Sequence, residues 1–547
     1  MTNRCRVHLS PVSAARAAAI AAPLATAAAL LASMAPAPAA AAGTPAGATG
    51  APADAAPVWV FFHDARAQPA DIGQTELTDR ALARRALRRT LPGLYDSKDV
   101  AVDQRLLVAV ASTGATPRVT SRWLHAVSAM ATPAQAAALR ALPGVDHVEP
   151  VGRGRAGWQH EEQAPPPAGN GFASTDYGAA LGQLQQIGVT AMHARGFTGR
   201  DVVIGILDTG FHRTHQAFHS EAHPLQVIAE RDFINDDGNT GIEPGDPSNQ
   251  HMHGTWILGT IASWLPGQLV GGAYEAKFVL CKTEVVPSET PIEEDFYVAG
   301  LEFAEAHGAD VCTSSLGYID WYTQADLNGH TCVTTMGVNQ ATANGMVCCT
   351  AAGNEGHDAD PATSTIIAPA DAYKVITCGA VDSAGTPAWF TSSGPTADGR
   401  VKPEILAQGV ATASVHATDA TGLQWVNGTS LSTPLVAAAM ACIVQARPER
   451  TVDQLRAALI ATASRSDDVG PHPDPLFVEG YGILRALEVA RNGRHAADLN
   501  LDGRVNGADL GMVLGAWSSG DPLAGDVTGD GLVNGADLGA VLGAWAP

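Results

Sequence analysis

"DVVIGILDTG", residues 201–210, runs after Asp201 through six apolar or small positions and meets its next acid at Asp208. A stretch that is short, β-branched and free of charge until its last position reads as a strand covered on both faces, as in a parallel sheet sandwiched by helices. Asp208 then stands at the carboxyl edge of that strand, where open α/β sheets place their sites. The pattern recurs in "KFVLCKT" (277–283), "ADVCTSSLG" (309–317), "GMVCCTAAG" (345–353) and "YKVITCGAV" (373–381). Helical stretches, "DFYVAGLEFAEAHG" (295–308) and "TPLVAAAMACIVQARP" (433–448), fall between or after them. Residues 174–492 therefore read as one large α/β domain with a mostly parallel sheet.

The chain has 547 residues, too many for a single core of ordinary size, so further domains are expected on either side. With 46% apolar and 16% charged residues it is not globally disordered. A formal charge of −22 argues against a nucleic-acid partner, because a phosphate backbone calls for clustered Lys and Arg. Residues 1–42 read as an export signal. Arg4, Arg6 and Arg16 precede or enter an Ala/Leu-rich stretch, and "APAPAAAAG" (35–43) offers small residues for cleavage. No later stretch is expected to span a membrane once the signal is removed, and the expected location is extracellular or cell-surface. Of the eight cysteines, Cys5 belongs to the signal and the other seven read mainly as small buried hydrophobes.

Four polar groups interrupt the apolar pattern of the large domain. Besides Asp208 they are His253 in "NQHMHGTWILGT", Asn354 in "CCTAAGNEG" and Ser430 in "NGTSLSTPLVAAAMA" (427–441). A serine before an apolar helix is usually a cap, but the other three suggest chemistry. A serine hydroxyl attacks a carbonyl only when a neutral imidazole takes its proton, which is the role of His253. Asp208 would hold the other imidazole N–H and stabilise the imidazolium. Asn354 and the Ser430 backbone N–H would bind the oxyanion of the tetrahedral intermediate. "LDTG" also occurs in aspartic proteases, but their shared-proton mechanism needs a second such motif and the chain has none. A zinc site from His212, His215 and His251 lacks the spacing of a familiar zinc motif.

"DTG", "HGT", "AAGNEG" and "NGTSLSTP", in that order, resemble the subtilisin-like serine endopeptidases, the subtilases. The resemblance implies a three-layer α/β subtilisin-like fold and an acyl-enzyme mechanism on protein substrates, with Asp208, His253 and Ser430 as triad and Asn354 as oxyanion donor. It further implies that Ser315, Leu316 and Gly317 pair with substrate backbone and that Gly353 lines the side-chain pocket. Leu431, Ser432 and Trp256 depart from the family's usual residues without removing a catalytic group. The competing reading is an inactive secreted polypeptide-binding or adhesion protein.

After a low-complexity linker at 43–57, residues 58–155 read as a small α+β unit. "VWVFFHD" (58–64), "RLLVAVAS" (105–112) and "VDHVEPV" (145–151) are expected as strands. "TDRALARRALRRT" (78–90) and "TPAQAAALRAL" (132–142) are expected as helices. This unit resembles subtilase propeptides, which implies an inhibitor of its own enzyme, and its Arg-rich helix suits an acidic partner. A Pro-rich linker at 156–173 follows.

The last segment, 496–547, is an internal repeat: "NLDGRVNGADLGMVLGAW" (500–517) returns as "TGDGLVNGADLGAVLGAW" (528–545). Asp498, Asn500, Asp502, Arg504 (through its carbonyl), Asn506 and Asp509 have the spacing of an oxygen-rich Ca²⁺ loop. Asp526, Thr528, Asp530, Leu532 (carbonyl), Asn534 and Asp537 repeat it. The segment carries seven Asp against one Arg and is expected to need Ca²⁺ to order. The pair resembles dockerin type I modules, small all-α calcium-loop units, which implies a cohesin-like partner; a calcium-locked terminal cap is the competing reading.

Overall fold

The computed structural model describes residues 54–63, 77–151, 164, 177–286, 293–319, 322–467, 469–519 and 522–545. The expected signal, Cys5 and nearly all of the 156–173 linker lie outside the described residues.

The N-terminal unit consists of β1 (Ala56–Phe62), α1 (Asp79–Arg88), α2 (Gln104–Ser112), β2 (Thr116–Ser121), β3 (Ala126–Ala131), α3 (Pro133–Arg140) and β4 (Val145–Pro150). Its antiparallel sheet has the order β2-β3-β1-β4. The expectation of a strand at 105–112 is corrected: "RLLVAVAS" forms α2, started by the Asp103 carboxylate accepting from Arg105 N–H. An apolar run of six residues, Leu106 to Ala111, suits either state by pattern alone, and the cap decides for the helix. The β2–β3 hairpin was not anticipated, since its small and polar residues carry little strand signal.

The alternation along β1 divides the sheet between two cores. Val58, Val60 and Phe62 pack with Val110, Val127, Leu139 and Val148 inside the unit. Trp59 and Phe61 point the other way and pack with Val298 and Val333 of the large domain. A period-2 strand with both faces apolar must be covered twice. The second cover is the large domain itself.

In that domain α4 (Leu181–Gln186) and α5 (Val189–His193) lead into β5 (Val203–Asp208), β6 (Gln226–Asp232) and α6 (Met252–Ala262). A short hairpin, β7 (Trp264–Leu265) with β8 (Leu269–Val270), precedes β9 (Lys277–Lys282), α7 (Glu293–Ala306) and β10 (Val311–Ser314). Next come α8 (Val333–Ala343), β11 (Val347–Ala351), β12 (Ile376–Val381) and β13 (Ile405–Gln408). The hairpin β14 (Thr412–Val415) and β15 (Leu423–Val426) delivers the chain to α9 (Thr429–Ala446). The domain closes with α10 (Val452–Thr462), β16 (Ser466–Asp467), β17 (Gly470–Pro471) and α11 (Ala486–Arg491).

Seven parallel strands lie in the order β13-β12-β11-β10-β5-β9-β6. Ile204 and Ile206 of β5 face α6 and α9, whereas Val203 and Leu207 face α7 and α8. Gly205 shares that second face, and the position suits glycine because a Cβ there would come within 3.0 Å of Ala304 Cβ. From β5 the chain crosses to the edge strand β6, returns to β9 beside β5, and then crosses to β10 on the other side of β5 and moves outward to β13. The strand order thus reverses between β5 and β10, which opens a crevice at their carboxyl ends. Helix α9 is long and apolar enough to cross a membrane, but 94% of it is buried against the sheet. It is a core helix. The seven cysteines from Cys281 to Cys442 are buried and unpaired, as small hydrophobes.

The C-terminal repeat folds as two loop-helix units ending in α12 (Gly507–Ser519) and α14 (Gly535–Gly543), with α13 (Pro522–Gly525) between them. Ala497, Leu499, Val505, Val513 and Val541 form their shared core.

Candidate active site

Asp208 ends β5, fully buried, and its Oδ1 accepts from Thr209 N–H at 2.7 Å and from the Thr209 hydroxyl at 3.1 Å. His253 lies in the first turn of α6, and its Nδ1–H donates to the same Asp208 Oδ1 at 2.7 Å. That bond fixes the tautomer and leaves Nε2 as the basic nitrogen. Gly254 has to be glycine. A Cβ there would stand 2.3 Å from Gly210 O and 3.0 Å from Asp208 Oδ1, so any side chain would push the helix off the carboxylate. Trp256 packs edge-on to the His253 ring at 6.4 Å and donates from Nε1 to Gln424 Oε1 of β15 at 2.9 Å. The large residue is thereby absorbed, its indole N–H satisfied.

Helix α9 starts after Gly428, whose φ of 150° suits glycine, and no side chain caps it. Ser430 is therefore not used as a cap. Pro434 lacks an N–H, so the Ser430 carbonyl has no donor one turn along the helix. Ser315 Oγ supplies it at 2.9 Å, and Ser430 Oγ donates back to Ser315 O at 3.3 Å. The loop after β10 is thus stitched to the start of α9. Asn354 follows β11, and its Oδ1 accepts from both Thr429 N–H and Thr429 Oγ1 at 2.9 Å. Because the oxygen end is committed to Thr429, Asn354 presents its amide nitrogen as the donor end. Thr429 Oγ1 also approaches Gly353 O at 3.2 Å.

Ser315, Gly353, Asn354 and Ser430 therefore meet at the carboxyl end of the sheet. Leu316 faces the core, packed with Tyr297 and Tyr318. Gly317 is held by Ile367, whose Cδ1 would lie 1.9 Å from a Cβ. Gly353 has φ +118°, and a Cβ there would meet Ser392 Oγ at 2.6 Å. Thr429, Thr209 and Gln250 were missed by the sequence reading. Gln250 Nε2 ties Thr209 O to Glu284 O at 2.7 and 2.6 Å. Nothing in residue type or spacing marks such supports.

The three histidines considered for zinc are each engaged elsewhere. His212 Nδ1 bonds Ala417 O, His215 Nε2 bonds Gly422 O and His251 Nε2 bonds Gly241 O, at 2.7, 2.8 and 2.8 Å. They buttress loops. Among the described residues, carboxylate oxygens of Asp232, Asp237 and Glu243 lie within 4.8 Å of one another and could hold a cation. The buried Lys282 ammonium already reaches this cluster, 2.8 Å from Asp232 Oδ2. The acidic run "DFINDDGN" (232–239) was the signal in the sequence.

In each C-terminal loop the twelfth residue closes the loop. Asp509 accepts from Leu499, Asn500 and Asn506 N–H, and Asp537 accepts from Val527, Thr528 and Asn534 N–H. Asp498 is buried with its Oδ1 lacking a donor among the described residues. Burial and the nearby Asp509 and Asp502 push its carboxyl above the usual range.

A family model described as the subtilase family matches residues 199–482, and one described as a peptidase S8 propeptide domain of Bacteroidota matches 57–164. Subtilisin of Bacillus pumilus is 31% identical over 308 residues, spanning 56% of this chain and 98% of that protein. Serine protease AprX of Bacillus subtilis is 28% identical over 325 residues, 53% of this chain and 66% of that protein. Fervidolysin from Fervidobacterium pennivorans superposes with a TM-score of 0.57 at 22% identity, covering 80% of this chain and 61% of that one, and so shares the fold. With the buried Asp208–His253 pair at the carboxyl edge of a seven-stranded parallel sheet, the chain belongs to the subtilase family of serine peptidases.

Proposed function

We propose that the protein is exported and hydrolyses peptide bonds with Ser430 as nucleophile, His253 as general base and Asn354 as oxyanion donor. The observation that carries this reading is the Asp208–His253 bond beside a helix start where Ser430 is spared from capping. His253 takes the Ser430 proton as the hydroxyl attacks, and returns it to the leaving amine. The acyl-enzyme is then released by water, activated by the same imidazole. Ser315–Gly317 and Gly353 would hold the substrate. Casein hydrolysis, with labelling of Ser430 by a serine-directed fluorophosphonate, tests the assignment; a folded chain freed of its N-terminal unit that does neither would leave a polypeptide-binding protein. Asn354→Ala is expected to lower kcat by about 10²–10³ with little change in KM, the loss that removal of one oxyanion donor causes.

The unit at 58–155 is read as an inhibitory prosegment, with a signal at 1–42, linkers at 43–57 and 156–173, and the peptidase at 174–492. Its sheet lies on α7 and α8 of the peptidase. Ser128 Oγ donates to Asp295 at 2.5 Å and Arg118 stands 3.1 Å from it, while Ser121 Oγ donates to Glu302 at 2.5 Å. Burial, only partly offset by Arg118 and Ser128, raises the Asp295 carboxyl to about 6, and burial raises Glu302 in the same direction. Once the prosegment leaves, Asp295 returns to the ordinary aspartate range, so the complex holds protons that the separated parts give up. That contribution is fully present below the ordinary range and is lost as pH rises through about 6. Prosegment affinity is accordingly expected to fall by up to about tenfold per pH unit per proton from about pH 4 to 6 and then level off. Inhibition of matured enzyme by added prosegment across this range checks it, and Asp295→Asn should flatten the profile.

The C-terminal repeat is read as a dockerin-like module with two Ca²⁺ sites and a cohesin-like partner. The orphaned Asp498 Oδ1, in a loop rich in oxygens, fits a cation. Asp498, Asn500, Asp502, Asn506, Asp509 and the Arg504 carbonyl would hold one ion, and the Asp526–Asp537 loop its equivalent. The ions would neutralise the loop carboxylates and hold the module together. Calorimetric titration should find two fewer Ca²⁺ bound in the double variant Asp498→Ala, Asp526→Ala, with peptide hydrolysis retained.

A further inference from the structure

Residues 233–251 carry the chain from β6 to the helix that bears His253, with no strand or α-helix of their own. Loops of more than about 12–15 residues without secondary structure are uncommon and usually functional. This one holds four acids, Asp236, Asp237, Glu243 and Asp246, and no Lys or Arg. With Asp232 at its base, carboxylates gathered so closely repel one another unless a cation stands among them.

Lys282 supplies that cation. Its side chain is fully buried, and its Nζ stands 2.8 Å from Asp232 Oδ2, 3.3 Å from Asp246 Oδ2 and 3.9 Å from Glu243 Oε2. Asp246 extends the restraint: its Oδ2 accepts from Glu243 N–H at 2.9 Å and lies 3.4 Å from His251 Nε2. Asn235 Nδ2 joins Asp232 to Glu243 at 3.1 and 2.8 Å. In the sheet Lys282 lies in register between Asp208 on one side and Asp232 on the other. The strand that carries the cation is therefore bonded to the strand that ends in the catalytic acid.

The loop also borders the pair whose geometry matters. Thr240 O accepts from Phe211 N–H at 2.9 Å, just past Asp208. His251 immediately precedes α6, and its ring lies so near the same turn that a Cβ at Gly210 would come 2.5 Å from its Cδ2. Where the loop rests thus sets where α6 begins, and with it the 2.7 Å bond from His253 Nδ1 to Asp208 Oδ1.

We propose that Lys282 is a positioning residue of the peptidase, a cation built into the chain in the role of a bound metal ion: it gathers the carboxylates of Asp232, Glu243 and Asp246 and so seats His253 on Asp208. Oxygens of Asp232, Asp237 and Glu243 lie within 4.8 Å of one another, a spacing that suits a divalent ion once the ammonium is removed. The effect on catalysis rests on the serine-peptidase reading, whereas the exchange of ammonium for metal does not.

The test compares matured enzyme with its Lys282→Ala variant on a short peptide, after chelation and again with added Ca²⁺. The chelated variant is expected to lose about 10–10² in kcat with little change in KM, because a shift of about 1 Å at the base costs that much while Ser315–Gly317 and Gly353 are untouched. Ca²⁺ should restore most of the loss in the variant and leave the parent's kcat unchanged. In chains carrying Ser430→Ala, calorimetry should count one more Ca²⁺ bound with Lys282→Ala than without it, a readout that needs no turnover. Asp246→Asn keeps the shape of the link to His251 and the buried Lys282–Asp232 pair; it should lower kcat several-fold and covers the case in which Lys282→Ala does not fold. Lys277→Gln, on the same strand but paired with the exposed Asp201, should change nothing. An unchanged kcat in the chelated variant, or a loss that Ca²⁺ fails to restore in a folded one, overturns the proposal. An extra ion bound in the variant beside a parent that hydrolyses nothing would place the failure in the peptidase reading.

Discussion

Ser430→Ala is expected to abolish peptide hydrolysis and to leave the chain at full length, with its N-terminal unit uncut. Removing a subtilase nucleophile lowers kcat by on the order of 10⁶, a magnitude known for subtilisin itself. Stability should barely change. Ser430 Oγ makes a 3.3 Å bond to Ser315 O but caps nothing, and the stitch that matters for packing, Ser315 Oγ to Ser430 O, uses a carbonyl that alanine retains. The measurement is therefore a rate against a constant melting temperature, together with loss of fluorophosphonate labelling. Hydrolysis that persists in the variant would remove Ser430 from the mechanism. Asp208→Asn makes a useful companion because it keeps the shape of the pair but withdraws the charge that stabilises the imidazolium.

Glu305→Ala is expected to release the prosegment. Glu305 is fully buried at the end of α7, where its cationic neighbours all come from the N-terminal unit. Arg84 and Arg85 both pair with it, Arg85 Nε at 2.8 Å, and Arg122 stands 3.6 Å away. Asp99 shares Arg85, also at 2.8 Å. Breaking a buried pair by removing one partner costs about 3–5 kcal/mol because the other charge stays buried. Arg84 would lose its carboxylate, and Arg85 would keep only Asp99. Inhibition of matured enzyme by added prosegment should weaken by about 10²–10³. The mature peptidase should be unaffected, since without the prosegment Glu305 faces water, and an unchanged kcat/KM on a short peptide separates the two effects. Inhibition as tight as the parent's would show that the sheet contacts through Trp59 and Phe61 suffice to hold the prosegment.

These two expectations differ in how far the sequence alone reaches. The central strands were legible because a strand buried on both faces must be apolar along its length, and "DVVIGILD", "KFVLCKT" and "YKVITCGAV" have no other simple reading. The polar residues that end or interrupt those runs were conspicuous for the same reason, so Asp208, His253, Asn354 and Ser430 could be picked out before any coordinates. "RLLVAVAS" was misread because six consecutive apolar residues have no period of their own, and the choice lay with the Asp103 cap and the sheet that covers α2. The edge strand β6 was missed because its residues, "QVIAERD" (226–232), are mixed and only part buried.

Local order along the chain determined which chemical groups the protein possesses, which of them stand at strand ends, and that an Arg-rich helix precedes an acidic domain. Which groups meet was decided by tertiary structure. Asn354 turns its oxygen to Thr429 across 75 residues, Ser315 satisfies a carbonyl orphaned by Pro434, and Arg84 finds Glu305 across 221 residues. Such pairings depend on the reversal of strand order between β5 and β10 and on how two domains pack. Hydrogen bonds and charges act over a few ångströms, and only the folded chain brings such distant positions that close.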